Sequence, residues 1–289
     1  MPRRSSSSLR SALAAVALLG ASCEREKPPP PRTEPWPAQA QDSGAPAVRH
    51  GYEVAADAAV TFELPVPAGG PRGRFRVARG SLEIAPDDLA RTTGTIELDV
   101  ASVLVEGADV AESRQRSQVA QSWLDVGASR PEVERERLRW ARFRLKEITR
   151  ASAQAAWAGR AVSLPAADAA AADATPDGGP AAPAAEVAAR SVELEVRGDL
   201  ELHGRRIEQP LGLRVTFYFS APPAPGVVPS RVVLDTPQPF TVALATFDIA
   251  PRDARGARVA ADEGLLGKAV GRSARTRVER VELLPRPPR

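Results

Sequence analysis

The sequence predicts an all-β fold in which about eight antiparallel strands close into a barrel under one covering helix. Three observations carry this prediction. Runs of alternating apolar and polar residues recur between about 60 and 284, with only one long stretch of helix-forming residues among them. The longest run, Ser191–Gly204, places Val192, Leu194, Val196, Leu200 and Leu202 on one parity and Glu193, Glu195, Arg197, Asp199 and Glu201 on the other. Successive strand side chains point to opposite faces, so such a run has one dry and one wet side. Third, the run turns at His203-Gly204 into a second one, with Leu211, Leu213, Val215, Phe217 and Phe219 on its dry parity, as a β-hairpin requires. About eight one-sided strands bury their dry faces most simply by closing on themselves.

In chain order, the first segment is an export signal over 1–22. Arg3 and Arg4 precede a short apolar run, Leu13–Leu19, which cannot span a bilayer. Gly20-Ala21-Ser22-Cys23 resembles a bacterial lipobox, small residues before a cysteine that receives lipid, although Gly20 stands where leucine is more usual. Cys23 is therefore the expected lipidation site. The alternative is an ordinary signal peptide with a chance cysteine, which would leave a periplasmic protein. Cys23 is the sole cysteine, so no intramolecular disulfide is possible. Two or more acyl chains would anchor the protein firmly, whereas one holds only marginally. By resemblance to bacterial lipoproteins, Glu24 after the cysteine favours the outer membrane, facing the periplasm. Residues 23–49 are proline-rich and lack apolar periodicity, so they read as an extended tether.

The domain proper spans 50–285. Val60, Phe62 and Leu64 alternate and end at Pro65. Phe75 and Val77 alternate next, and the parity changes across Gly80 to Leu82 and Ile84, which predicts a bulge or bend at the glycine. Thr95–Val103 reads as a strand with Ile96, Leu98 and Val100 on its dry face. Gly107–Val126 predicts the covering helix, with Val119, Trp123 and Val126 near one face. A charged run follows, and a strand resumes at Leu138–Ile148, where Phe143 and Leu145 oppose Arg142, Arg144 and Lys146. Residues 151–189, rich in alanine and proline, carry too little apolar area to fold and read as a disordered insertion. After the hairpin come Arg231–Leu234, Phe240–Ile249 with Leu244 on its dry face and a bend near Phe247, and a closing strand within Lys268–Leu284 whose Val278 is out of phase with Val281 and Leu283.

Charge is nearly balanced, 39 basic against 36 acidic residues, and aromatics make up 4%, so a nucleic-acid surface is not indicated. The two histidines, His50 and His203, sit in no nucleophile or metal motif, and no phosphate-cradling loop occurs. The carboxylates fall on wet strand faces. The reading is a non-catalytic protein without metal or cofactor, with His203 as a turn residue. Arg142, Arg144 and Lys146 read as a solvated face, with an anionic head group as the alternative.

Several segments together resemble the YceI-like family of bacterial polyisoprenoid-binding domains. They are Gly73-Arg74-Phe75 with Gly80-Ser81-Leu82, GTIELDVAS at Gly94–Ser102, SWLDV at Ser122–Val126, RWARFRLKEI at Arg139–Ile148, GDLELHG at Gly198–Gly204, and Phe247-Asp248-Ile249 with the C-terminal strand. RQRSQVA stands in the helix where that family often has Arg-Asp-x-His-Leu. The resemblance implies an extended, lipocalin-like barrel with a prenyl chain in its lumen. The lumen candidates are then Phe75, Val77, Ile96, Leu98, Val100, Phe143, Leu145, Leu194, Val196, Leu200, Leu213, Val215, Phe217 and Leu244. The expected partners are an isoprenoid or similar amphiphile and, through the anchor, a membrane. The alternative is an envelope scaffold whose barrel core is filled by the same side chains.

Overall fold

The computed structural model describes residues 48–55, 58–64, 70–76, 78–164, 186–252, 257–258 and 273–287. The export signal, Cys23, nearly all of the tether and Val77 lie outside them. Fourteen strands are described: β1 (His50–Val54), β2 (Ala59–Glu63), β3 (Arg72–Phe75), β4 (Ala78–Ile84), β5 (Thr93–Asp99), β6 (Leu104–Val105), β7 (Trp140–Ala151), β8 (Arg160–Val162), β9 (Ala188–Leu202), β10 (Arg205–Phe219), β11 (Arg231–Asp235), β12 (Phe240–Val242), β13 (Ala274–Glu279) and β14 (Val281–Pro285). Two helices accompany them, α1 (Val110–Trp123) and α2 (Glu132–Leu138).

Eight strands close a ring in the order β10-β11-β14-β1-β4-β5-β7-β9, with β9 pairing back onto β10. Every pair in the ring is antiparallel. The expected closed barrel is therefore present. A second sheet, β12-β13-β2-β3-β6, stands beyond it. Its order repeats that of β11-β14-β1-β4-β5, because each of its members is the continuation of one of those five strands. The barrel is thus a full ring below and a five-stranded wall above.

Local breaks make this second tier. Between β13 and β14, Arg280 adopts φ +45°, so the phase slip between Val278 and Val281 is a kink. Between β5 and β6 a 3₁₀ turn at Val100–Ser102 interposes, with Asp99 Oδ1 accepting from the Ala101 N–H at 3.0 Å. The Thr95–Val103 strand is accordingly shorter than the alternation implied. Between β3 and β4 the Arg76 N–H donates to Ser102 Oγ at 2.9 Å. The parity change expected at Gly80 falls here instead. Gly80 is a close approach: a Cβ on it would lie 2.2 Å from the Thr95 carbonyl oxygen.

β7, β9 and β10 have no upper continuation. Their side is covered by α1, whose Ala120 and Trp123 cluster with Val100, Val103, Val105, Leu244 and Phe247. Leu244 lies on a 3₁₀ turn, Leu244–Phe247, and not on the expected strand through Ile249. The charged run before β7 forms α2, a second helix beyond the one expected. Its acids Glu132 and Glu134 lie in the first turn and Arg135 and Arg137 in the last, which suits the helix dipole and needs no apolar face. β1 is likewise absent from the sequence pattern, because its five residues bury only Tyr52 fully. The expected disordered insertion is corrected at its margins. Ala151 ends β7, Ala156–Ala158 is a 3₁₀ turn, and β8 pairs with β9 through Arg160↔Ser191 and Val162↔Ala189. Backbone pairing orders this segment despite its small side chains. Residues 165–185 lie outside the described ones.

Candidate ligand-binding lumen

The ring and the upper wall enclose a cavity of ≈ 230 Å³. It runs from Ile84, Leu89 and Phe217 in the lower tier to Leu64, Val105 and Trp123 in the upper one. Strand alternation supplies most of this wall. The two longest strands fix it, because β9 and β10 pair over fifteen positions from Leu202↔Arg205 to Ala188↔Phe219. Their turn, His203-Gly204, has φ +52° and +73°, as a two-residue type I′ hairpin demands.

Thirteen of the fourteen sequence-derived lumen residues line the cavity: Phe75, Ile96, Leu98, Val100, Phe143, Leu145, Leu194, Val196, Leu200, Leu213, Val215, Phe217 and Leu244. Val77 lies outside the described residues. Phe75, Ile96, Leu98, Phe143, Leu145 and Leu213 point inward yet stay only half-buried. Inward-facing side chains keep accessible surface where the interior is hollow or opens at an unpaired edge. Val192, Phe217 and Leu283, by contrast, are at most 1% exposed. A filled core, which the scaffold alternative requires, does not fit this pattern.

Close packing of one glycine shapes the wall. A Cβ on Gly198 would fall 2.4 Å from Phe143 Cζ and 2.6 Å from the Arg144 carbonyl oxygen. The Phe143 ring therefore occupies the space that a side chain at 198 would fill. The register of β7 slips between Leu145 and Glu147 and again between Ile148 and Arg150. These irregularities return Ile148 to the inward face after Leu145. In the upper tier the rings of Phe62 and Phe75 meet at 5.2 Å with a 34° tilt.

Other wall residues went unnamed in the sequence. Trp123, Leu124 and Ala120 come from α1, and Val278 and Thr276 from β13. Helix-borne lining leaves no trace in a strand pattern. Gln209 could have been found: it shares the parity of Leu211 and Leu213 and lines the same cavity. The polar side chains of the described wall are Thr92, Thr95, Gln209 and Thr276, apart from the Trp123 indole. Thr92 is already engaged, its Oγ1 accepting from the Ala85 N–H at 3.4 Å.

Polar clasps hold both ends. At the lower end Tyr52 donates its hydroxyl to the Pro229 carbonyl at 2.8 Å, and burial pushes its phenol well above the usual range. Asp87 accepts from the Trp157 indole at 3.0 Å and from the Gly226 N–H at 3.1 Å, joining three loops. At the upper end His203 is more than a turn residue. Its Nδ1 lies 3.0 Å from the Phe247 carbonyl oxygen and its Nε2 lies 2.9 Å from Asp125 Oδ2. Asp125 also meets Arg130 at 2.6 Å and Arg252 at 3.0 Å. Both ring nitrogens thus face protein acceptors, and the cluster ties the hairpin to the end of α1 and to the 3₁₀ turn.

The outer face carries ion pairs. Glu97 meets Arg79 at 2.7 Å and Arg142 at 2.6 Å, and Lys146 meets Asp199 at 2.9 Å. Burial acts to raise the Glu97 pKa, but hydrogen bonds and charge from the two arginines outweigh it and hold the carboxyl below its ordinary value. Arg142 and Lys146 therefore serve the outside of the wall. Chemically, the interior offers an apolar tube with a few uncharged polar groups.

No family model matches the sequence, and no curated protein matches it. Among solved structures, the chain is similar to a polyisoprenoid binding domain from Saccharophagus degradans implicated in plant cell wall breakdown. That match has 14% identity and a TM-score of 0.44, covering 81% of this chain and 98% of the other. It is also similar to BcnA of Burkholderia cenocepacia, with 14% identity and a TM-score of 0.38, covering 82% of this chain and 96% of the other.

Proposed function

We propose that this protein binds an isoprenoid or similar amphiphilic lipid in its lumen, without chemistry on the ligand, in the bacterial cell envelope. The observation that carries the reading is the apolar cavity running through both tiers. An apolar cavity of about 150 Å³ takes up benzene. At ≈ 230 Å³ this one accommodates roughly ten carbons, or two prenyl units, on the same scale. At about 0.8 kcal/mol per buried CH₂, each prenyl unit contributes on the order of 3–4 kcal/mol before the costs of association. Two units therefore supply about 6–8 kcal/mol before those costs, which corresponds to binding weaker than micromolar once they are subtracted. The envelope location, facing the periplasm from the outer membrane, rests on the basic and apolar start of the chain and on Cys23 as its lipid attachment point.

The test is binding of prenyl alcohols of five, ten and fifteen carbons to the delipidated protein, followed by native mass spectrometry and calorimetry. Affinity should rise steeply from five to ten carbons and much less from ten to fifteen, as the chain outgrows the cavity. A protein that binds none of them sinks the proposal.

A further inference from the structure

The lower ring is complete, but one of its seams is paired only in part. β10 pairs with β9 along its whole length. It pairs with β11 only from Arg214↔Asp235 to Tyr218↔Arg231. Residues 205–213 of β10 therefore have a ladder on one side only among the described residues. In this hairpin the odd positions from Arg205 onward exchange hydrogen bonds with β9, so the even positions aim their backbone groups at the open side. Pro210 occupies one of those even positions. With no N–H, it keeps a strand from pairing there. Beyond the seam the chain leaves β11 and re-enters the sheet as β12, whose partner is β13.

The cavity reaches this seam. Gln209, Leu211 and Leu213 line it from β10 and Phe240 from β12. Phe240 is half-buried and packs against both core clusters, so it stands where the two tiers meet. Gln209 is half-buried as well, with its carboxamide donating to the Pro210 carbonyl at 3.2 Å. A carboxamide has a second donor hydrogen and an acceptor oxygen to offer. The other polar wall residues are threonines, so the described lining carries hydrogen-bonding groups without charge. An anionic head group drawn inside would lose its hydration with no cation there to replace it.

We propose that the head group of the bound amphiphile sits at this seam, that Gln209 is the residue that reads it, and that the head group is uncharged and hydrogen-bonding, such as a primary alcohol or amide. This rests on the lumen being the ligand site, and it adds where the polar end lies and what charge it carries. The chain then runs from Gln209 into the apolar tube towards Phe143 and Leu145, opposite Gly198, which is the register partner of Gln209.

Three ligands of ten carbons decide it: geraniol, geranyl diphosphate and a hydrocarbon of the same skeleton, each titrated into wild type, Gln209→Leu and Gln209→Met. Geraniol should bind wild type at least about tenfold more tightly than the diphosphate. Both variants should weaken geraniol about two- to tenfold and leave the hydrocarbon unchanged, as loss of one hydrogen bond predicts. Equal or tighter binding of the diphosphate overturns the inference. So does an equal effect of the variants on alcohol and hydrocarbon, or a larger loss of geraniol affinity in Thr276→Val, which would put the head group in the upper tier. If the hydrocarbon and the alcohol both fail to bind wild type, the lumen reading falls and takes this inference with it. Binding of the hydrocarbon with no preference among head groups overturns the inference alone.

Discussion

At the scale of single residues, Gly198 shows how one missing side chain shapes the lumen. The Phe143 ring fills the space a Cβ would need. Gly198→Ala should cost about 1–3 kcal/mol, the range for overpacking a well-filled site. In a Phe143→Ala background the penalty should shrink without vanishing, because the Arg144 carbonyl would still lie 2.6 Å from the new Cβ. Urea denaturation of the four proteins measures the coupling, and an undiminished penalty without the ring would show that the ring is not the obstacle. That a glycine on the dry parity marks a close approach is legible in the sequence. That the approaching group is Phe143 is not, since it comes from β7, more than fifty positions away. His203 divides in the same way. Its place beside a glycine implies a turn, but its bonds to Asp125 and to the Phe247 carbonyl depend on elements that meet only in the fold.

Among the elements, α1 is the covering helix the sequence predicts, and it is fastened largely by polar groups. Asp109 caps it by accepting from the Glu112 N–H at 2.8 Å, and Glu112 accepts in turn from the Ala108 N–H at 2.6 Å. Ser117 accepts from the Val105 N–H and Ser113 from the Gly107 N–H, both at 2.9 Å. Helix hydroxyls thus satisfy donors on and just beyond β6, an edge strand of the upper wall. These buried contacts explain why the helix lacks a broad apolar stripe: part of its inner face is serine. Asp109→Ala should lower stability by about 1 kcal/mol, and Asp109→Asn, which keeps an acceptor, by much less. Thermal or urea unfolding reads both, and equal losses would mean that the cap bond is not what matters. α2 leaves no apolar period in the sequence for a related reason, since a helix stabilised by charges at its two ends needs none.

For the molecule as a whole, closure is apolar inside and ionic outside. Arg79, Glu97 and Arg142 bridge β4, β5 and β7 on the outer surface, while Lys146 and Arg206 link Asp199 of β9 to its two neighbouring strands. Glu97 titrates below its ordinary value in the folded state. Its contribution is therefore present above the unfolded carboxyl pKa, about 4.3, and fades as pH falls through the lower folded value. Chemical denaturation of wild type and Glu97→Gln should show wild type ahead near pH 6–7 and the gap closing towards pH 3. A gap independent of pH would mean that the Glu97 charge contributes nothing to closure.

By itself the sequence determined which side of each long strand faces inward. Parity is a local property, and eleven of the named positions follow from it directly; Val100 and Leu244 reach the cavity from 3₁₀ turns instead. The sequence also favoured closure, because one-sided strands bury their dry faces most simply by curling onto themselves, although two stacked sheets would bury them too. Tertiary structure alone decided that five of the eight strands kink into a second tier, which side α1 walls, and that β10 keeps one edge unpaired beside Gln209 among the described residues. Those outcomes depend on which strand lies beside which, and on turns such as Arg280 whose left-handed backbone its residue type does not announce. Whether the shared dry face becomes a filled core or a hollow tube is a matter of radius. Radius follows from strand number and stagger around the closed ring, which no single strand encodes.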